Sequence, residues 1–189
     1  MNITTLAFEI ANTQHKGQFR KDNITPYIEH PHQVVNILTR HLTSEWNQRE
    51  AALDPKWQEK NILGLPLHFM YVGVTAAEYI ATGWLHDVIE DCDITKENLI
   101  NSFLQFAREG EDKTREEIIT FTIKWFNVID AVELLSKKPG QNYISYLKGI
   151  KDNQLAKLVK LADLKHNMSD LKPGNLLEKY QISEWFLQQ

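Results

Sequence analysis

Four titratable side chains interrupt the most apolar stretch of the chain, and their types are those that bind metals or move protons. Apolar residues recur at helical spacing over residues 74–92, which predicts one helix there. His86, Asp87, Glu90 and Asp91 lie within it at spacings of three and four, so they share one sector. Three carboxylates this close repel one another, and a divalent cation would relieve that repulsion. The alternative is a solvated polar face, which is common for acidic pairs.

Two further segments carry residues of the same kinds. Asp163 precedes Asn167 by one helical turn in an otherwise apolar stretch, and His30 stands directly before Pro31 at the entry to a second helix. A histidine in that position is commonly a helix cap or a surface residue. Two histidines and two carboxylates from these segments would nevertheless suit manganese, iron, zinc or magnesium, with coordination positions left for water and substrate.

Helices must position these residues, and helical periodicity extends along the chain. Thr4 or Thr5 is expected to cap the first helix and Gly17 to end it, whereas residues 44–66 are expected to form an irregular insertion. The further helices are expected around residues 34–42, 74–92, 99–104, 119–135, 142–151, 154–168 and 176–187. Strand-like alternation and repeats do not stand out. The sequence therefore predicts an all-α fold, with residues 1–189 as a single domain.

Composition narrows the classes of partner. The formal net charge is -4, so the 189-residue chain has no basic excess for a nucleic-acid backbone. Cys92 is the one cysteine, which rules out an intramolecular disulfide and a cysteine-based zinc site. Residues 1–16 match neither a signal peptide nor a membrane span. We therefore expect a cytoplasmic protein without nucleic-acid or membrane partners, for which a homo-oligomer is compatible with these patterns.

Four motifs, in order along the chain, resemble those of the RelA/SpoT-type HD-domain alarmone hydrolases. They are His15-Lys-Gly-Gln-Phe-Arg-Lys21, Pro26-Tyr-Ile-Glu-His-Pro31, His86-Asp-Val-Ile-Glu-Asp91 and Lys160-Leu-Ala-Asp-Leu-Lys-His-Asn-Met168. Separated motifs in order are more specific than any one alone. The resemblance implies an HD-domain helical bundle that hydrolyses guanosine 3′,5′-bis(diphosphate) alarmones, (p)ppGpp, to GDP or GTP and pyrophosphate, with one divalent metal ion, usually Mn²⁺.

The resemblance also assigns roles to individual residues. It implies four metal ligands, which here are His30, His86, Asp87 and Asp163. The acidic pair after the His-Asp motif would be catalytic, and this pair corresponds to Glu90 and Asp91. A carboxylate in this position can orient the attacking water and accept its proton. Which carboxylate has which task stays open at this point.

Substrate contacts follow from the same resemblance. Arg20 would lie against the guanine and Lys21 would meet phosphate, because a guanidinium plane stacks on a base and an ammonium acts as a point charge. Asn167 would line the nucleoside pocket, and Tyr143 is a further pocket candidate. The Leu164-Lys165 pair departs from the Arg-Leu of long family members, which bears on base and ribose contacts more than on the metal.

The sequence has no residues for the synthetase domain of long family members, so the expectation is a stand-alone small alarmone hydrolase that lowers the stringent-response signal. Two alternatives have the same motifs. One is an HD-domain hydrolase of another phosphorylated nucleotide, such as NADPH or a deoxynucleoside triphosphate. The other is a non-catalytic nucleotide-binding module, although the acidic pair Glu90 and Asp91 argues against it.

Overall fold

A computed structural model describes residues 2–51, 75–108 and 114–189, without the side chains of residues 45–51. Within these ranges the chain forms nine α-helices and no strand, which confirms the predicted all-α fold. The helices are α1 (Ile3–Gln14), α2 (Glu29–Ala51), α3 (Ala76–Leu85), α4 (Val88–Asp91), α5 (Lys96–Arg108), α6 (Arg115–Leu135), α7 (Tyr143–Lys151), α8 (Gln154–Ser169) and α9 (Asn175–Gln188).

Polar side chains set where several helices begin. The Asn2 side chain accepts a hydrogen bond from the Thr5 amide and caps α1, so the prediction of Thr4 or Thr5 as the cap is wrong. Asparagine is among the best acceptors at this position. Gly17 follows the end of α1 with a φ of 79°, a conformation that glycine adopts without strain. Asn142 and Asn153 cap α7 and α8 in the same way as Asn2.

The predicted helix over residues 74–92 is not continuous, because the chain turns at His86 and Asp87 and so separates α3 from α4. The His86 ring makes a hydrogen bond to the Gly83 carbonyl. This side-chain contact competes with the backbone bonding that would continue the helix. The expectation that all four polar residues share one face of one helix is therefore corrected: Glu90 and Asp91 belong to α4, whereas His86 and Asp87 form the turn before it.

Two other sequence-based boundaries also change. Helix α2 begins at Glu29, so Pro31 lies inside its first turn, where a missing amide hydrogen costs little. The same helix extends to Ala51, so the first part of the expected insertion at residues 44–66 is helical. The remainder of that insertion, residues 52–66, lies outside the described residues.

The buried side chains form two clusters. One joins α1, α3, α5 and α6 around the fully buried Trp125, and the other joins α2 and α3 to the C-terminal helices α6–α9. Helix α3 packs against both α1 and α2. At Gly83 an added Cβ would lie only 2.8 Å from Leu38 Cδ1 on α2, so glycine permits this close approach of α2 and α3. The α2–α3 contact holds His30 and His86 near each other.

Across the part of the chain that the structure describes, no helix combines the length and the apolar character needed to cross a bilayer.

Candidate metal centre

Two imidazole nitrogens and two carboxylate oxygens converge where α2, the α3–α4 turn and α8 meet. His30 Nε2 lies 3.2 Å from His86 Nε2, and Asp87 Oδ2 lies 3.3 Å and 3.1 Å from those two atoms. Asp163 Oδ1 lies 3.1 Å from His30 Nε2 and 3.8 Å from His86 Nε2. The group of His30, His86 and Asp87 could hold a metal ion, and Asp163 Oδ1 lies beside it. The structure thus brings together the four residues that the resemblance implied as metal ligands.

The second nitrogen of each imidazole has its own partner. His86 Nδ1 lies 2.8 Å from the Gly83 carbonyl, which can only accept, so Nδ1 carries the hydrogen. His30 Nδ1 lies 2.7 Å from His166 Nδ1. Burial and the neighbouring His30 lower the pKa of His166, so His166 is neutral and can accept a hydrogen bond from His30. Both Nε2 atoms face the site, the orientation that a metal-binding histidine needs.

Asp163 is fixed by two donors on its own helix. Lys160 Nζ donates to Asp163 Oδ2 at 2.7 Å, and Asn167 Nδ2 donates to Oδ1 at 2.6 Å. These residues lie three positions before and four positions after Asp163, so both reach it from one face of α8. Lys160 is largely buried and also lies over the Tyr146 ring. Donors of this kind orient a ligating carboxylate.

Asp91 and Glu90 of α4 each make a hydrogen bond to a residue outside that helix. The Tyr27 hydroxyl lies 2.5 Å from Asp91 Oδ2 and 2.8 Å from Asp87 Oδ2. Burial and the two neighbouring carboxylates raise the pKa of Tyr27 far above its usual value, so the phenol keeps its proton. Glu90 Oε2 accepts a hydrogen bond from the backbone amide of Lys137, in the loop between α6 and α7. The two carboxylates therefore have fixed positions beside the ligands.

The charges at the centre favour a cation. Burial alone would lower the pKa of His86, but Asp87, Asp163 and the Gly83 carbonyl outweigh it and raise the pKa to about 9. The pKa of Asp87 lies well below its usual value despite burial, because His86 and His30 stabilise the carboxylate. Burial also opposes ionisation of Asp163, whereas Lys160 and His30 lower its pKa. The carboxylates thus stay ionised and attract positive charge to the point between them.

These observations show that the residues fit a divalent metal ion. A metal ion that displaced the proton of His86 would meet two imidazole nitrogens and two carboxylate oxygens, a donor set that suits a cation. Separations of 3.1–3.8 Å between neighbouring ligand atoms suit bonds of roughly 2.0–2.2 Å to a central ion. The nitrogen and oxygen donors, without thiolate, are compatible with Mn²⁺ and similar ions.

The metal centre forms the floor of a cleft of about 540 Å³. Arg20 and Lys21 line its rim in the loop between α1 and α2, which includes an antiparallel bridge between Phe19 and Pro26. Asp22 braces this loop by accepting hydrogen bonds from the Thr25 hydroxyl and from the amides of Ile24 and Thr25. These bonds, the hydroxyl first, lower the pKa of Asp22 to about 2. The cleft therefore has two cations in the same lining as His30, His86, Asp87 and Asp163.

Nine of the ten site residues expected from the sequence line this cleft. They are Arg20, Lys21, His30, His86, Asp87, Glu90, Asp91, Asp163 and Asn167. The Asn167 side chain lines the cleft and also donates a hydrogen bond to Asp163, so it orients that carboxylate. The structure does not bring Tyr143 to the cleft: it lines a separate apolar groove between α7 and α9, where its hydroxyl lies 3.0 Å from Ser183 Oγ.

Two contributors to the site were not singled out from the sequence. Tyr27 lies inside the motif that ends at His30, and Lys160 lies three residues before Asp163. The helical spacing of Lys160 was a usable signal, because residues three apart on a helix are neighbours. Tyr27 gave no such signal, since its contacts with Asp87 and Asp91 join positions 60 and 64 residues apart.

No protein-family model matches the chain.

Proposed function

We propose that the chain is a metal-dependent 3′-pyrophosphohydrolase of guanosine 3′,5′-bis(diphosphate) alarmones, as a stand-alone member of the RelA/SpoT-type HD-domain hydrolases. The observation that carries the proposal is the joint placement of three groups in one cleft. Four metal ligands form its floor, the acidic pair Glu90 and Asp91 lies beside them, and the cations Arg20 and Lys21 line its rim. A volume of about 540 Å³ falls in the range of small-molecule sites.

The charge of the cleft supports a metal-bound phosphate substrate. Six carboxylate residues line the cleft, against three with cationic side chains, of which Lys160 is paired with Asp163. Such a cleft repels a polyphosphate unless a divalent cation neutralises part of the negative charge. We therefore propose one divalent ion, Mn²⁺ by resemblance, held by His30, His86, Asp87 and Asp163. When bound, the ion supplies Lewis-acid charge for the phosphate and the attacking water.

Other residues of the cleft would position the substrate and transfer protons. In the reaction, a water oxygen bonds to the phosphorus attached to the 3′ oxygen, the bond from phosphorus to that oxygen breaks, and pyrophosphate leaves. Glu90 or Asp91 orients the water and accepts its proton, while the departing 3′ oxygen gains one. Arg20 stacks on the guanine, and Lys21 binds phosphate.

The direct test incubates Mn²⁺-loaded protein with guanosine tetraphosphate, NADPH and deoxynucleoside triphosphates and measures the products. We expect pyrophosphate and GDP from guanosine tetraphosphate. Turnover of another member of the panel, without pyrophosphate from the alarmone, would overturn the substrate assignment.

Two variants test the chemistry separately from the metal. Glu90→Gln and Asp91→Asn should each abolish turnover while the Mn²⁺ content stays near normal, because neither residue is among the four ligands. His86→Ala is the matched variant that should lose the metal as well as turnover. Full activity in both acidic-pair variants would contradict the assigned roles and favour another base.

A further inference from the structure

One tyrosine joins the metal centre to the acidic pair of α4. The Tyr27 hydroxyl lies within hydrogen-bond distance of Asp87 Oδ2, at 2.8 Å, and of Asp91 Oδ2, at 2.5 Å. Asp87 Oδ2 is also the oxygen that lies near both His30 Nε2 and His86 Nε2, so it is the atom that would ligate a metal. A single phenol therefore contacts a metal-ligand oxygen and the carboxylate of Asp91.

The position of this phenol is fixed by its surroundings. The Tyr27 ring stacks on the His15 ring with centroids 4.7 Å apart, and it meets the His30 ring edge-on at 5.9 Å. The backbone amide of Tyr27 donates to the Gln18 carbonyl. Gln18 in turn donates through its side chain to the Asp91 carbonyl. The ring contacts and the backbone bond hold the hydroxyl between the two carboxylates.

A phenol has only one hydrogen, so it donates to one of the two carboxylates at a time. Both oxygens are within reach, and the hydrogen can change partner by rotating about the C–O bond while the ring stays in place. If Asp87 Oδ2 held a cation, it would become the weaker hydrogen-bond acceptor, because the cation would draw on the same oxygen lone pairs. The hydrogen would then point to Asp91.

We propose that Tyr27 is a positioning residue that links occupancy of the metal site to the orientation of Asp91. With a cation on Asp87, the phenol donates to Asp91 and holds that carboxylate for its task. Without the cation, Asp87 competes for the same hydrogen and Asp91 is held less firmly. The catalytic consequence of this link rests on the proposed function, whereas the link between Asp91 and the metal does not.

The kinetic test uses Tyr27→Phe, which removes one oxygen and keeps the ring between His15 and His30. We expect kcat for guanosine tetraphosphate to fall by about 10–100-fold, the usual cost of losing a residue that orients a metal-site group. KM should stay within about twofold, since Tyr27 acts through Asp91 and not on the substrate. Thermal unfolding of the metal-free variant should resemble wild type. An unchanged kcat would overturn the positioning role.

A second test needs no substrate. The Mn²⁺ dissociation constant is measured for wild type, Tyr27→Phe, Asp91→Asn and the double variant. If the phenol joins the two carboxylates, the fold-change caused by Asp91→Asn should differ by severalfold between the two Tyr27 backgrounds. Tyr146→Phe is the matched control, because its hydroxyl donates to the Leu135 carbonyl and not to a carboxylate. Fold-changes that simply multiply for Tyr146 and Asp91 are expected there.

The outcomes separate this inference from the proposed function. Fold-changes that simply multiply for Tyr27 and Asp91 would overturn the link, whether or not the protein hydrolyses the alarmone. Severalfold coupling in a wild-type protein that releases no pyrophosphate would support the link and overturn the proposed function instead. Coupling together with the loss of kcat would support both.

Discussion

Gly83→Ala tests whether the close approach of α2 and α3 sets the geometry of the metal centre. An added Cβ would lie 2.8 Å from Leu38 Cδ1 and 3.1 Å from Val35 Cγ2, both on α2. Leu38 is 1% exposed and Val35 is 8% exposed, so neither side chain has open space to enter. We expect the contact to be relieved by the Leu38 and Val35 side chains together with a shift of α2, which carries His30.

The expected stability change combines two opposing contributions. Overpacking of a core site costs about 1–3 kcal/mol. Alanine is favoured over glycine within a helix by about 0.8–1.0 kcal/mol, and residue 83 lies inside α3. We therefore expect Gly83→Ala to lower the free energy of unfolding of the metal-free protein by up to about 2 kcal/mol.

Gly83→Ala should also weaken metal binding, because it changes the separation of the two histidines. His30 Nε2 and His86 Nε2 lie 3.2 Å apart, and Gly83 also accepts a hydrogen bond from His86. A functional site tolerates displacements of only about 0.5 Å. A shift of a few tenths of an ångström between α2 and α3 is close to that limit, so we expect Mn²⁺ binding to weaken by about tenfold or more.

Gly149→Ala in α7 is the matched control. Its Cβ would lie 3.7 Å from Leu134 Cδ2, an ordinary van der Waals distance. This variant should gain up to about 1 kcal/mol from helix propensity alone. Urea unfolding of the metal-free proteins and Mn²⁺ titration measure the two effects. If both variants bind Mn²⁺ with wild-type affinity, the α2–α3 contact does not determine the separation of the histidines.

Three further predictions concern other parts of the molecule. With Mn²⁺ at 100 times its dissociation constant, the metal should stabilise the fold by about 2.7 kcal/mol. Chelation should abolish this stabilisation in thermal unfolding. Asp163→Asn should be stabilised little by Mn²⁺, so chelation should change its unfolding temperature little. Trp125→Phe should cost about 2–4 kcal/mol in urea unfolding, because it leaves a cavity and removes the hydrogen bond from the indole to the Leu99 carbonyl. The Mn²⁺ affinity should stay unchanged. Asp22→Ala should raise KM severalfold with little change in kcat, because it loosens the loop that carries Arg20 and Lys21. Asp22→Asn keeps an acceptor for the Thr25 amide, so its KM should lie between those of wild type and Asp22→Ala. A KM for Asp22→Ala equal to that of wild type would contradict the bracing role.

Local pattern was enough to predict the class of fold. Helical periodicity and polar stops predicted the all-α chain, including α7 and α8. The break between α3 and α4 could not be read in this way. It depends on the His86 side chain reaching the Gly83 carbonyl, a contact that an apolar periodicity does not register.

For the candidate site, too, the sequence predicted some residues and missed others. Spacing alone related Asp163 to Asn167, because a helix makes residues four apart neighbours, and the motifs named the residue types of a metal centre. Helical spacing was not enough for Tyr143, which faces a different groove. The contacts of Tyr27 with Asp87 and Asp91, in turn, join positions 60 and 64 residues apart.

By itself the sequence determined that this chain would be helical and which ligand types it could offer a cation. Only the tertiary structure decided that His30 and His86, 56 positions apart, place their Nε2 atoms 3.2 Å from each other. The physical reason is that periodicity acts over one or two turns of a helix, whereas that distance depends on how closely two helices pack. Here the packing depends on Gly83, where a single methyl group would meet Leu38 at 2.8 Å.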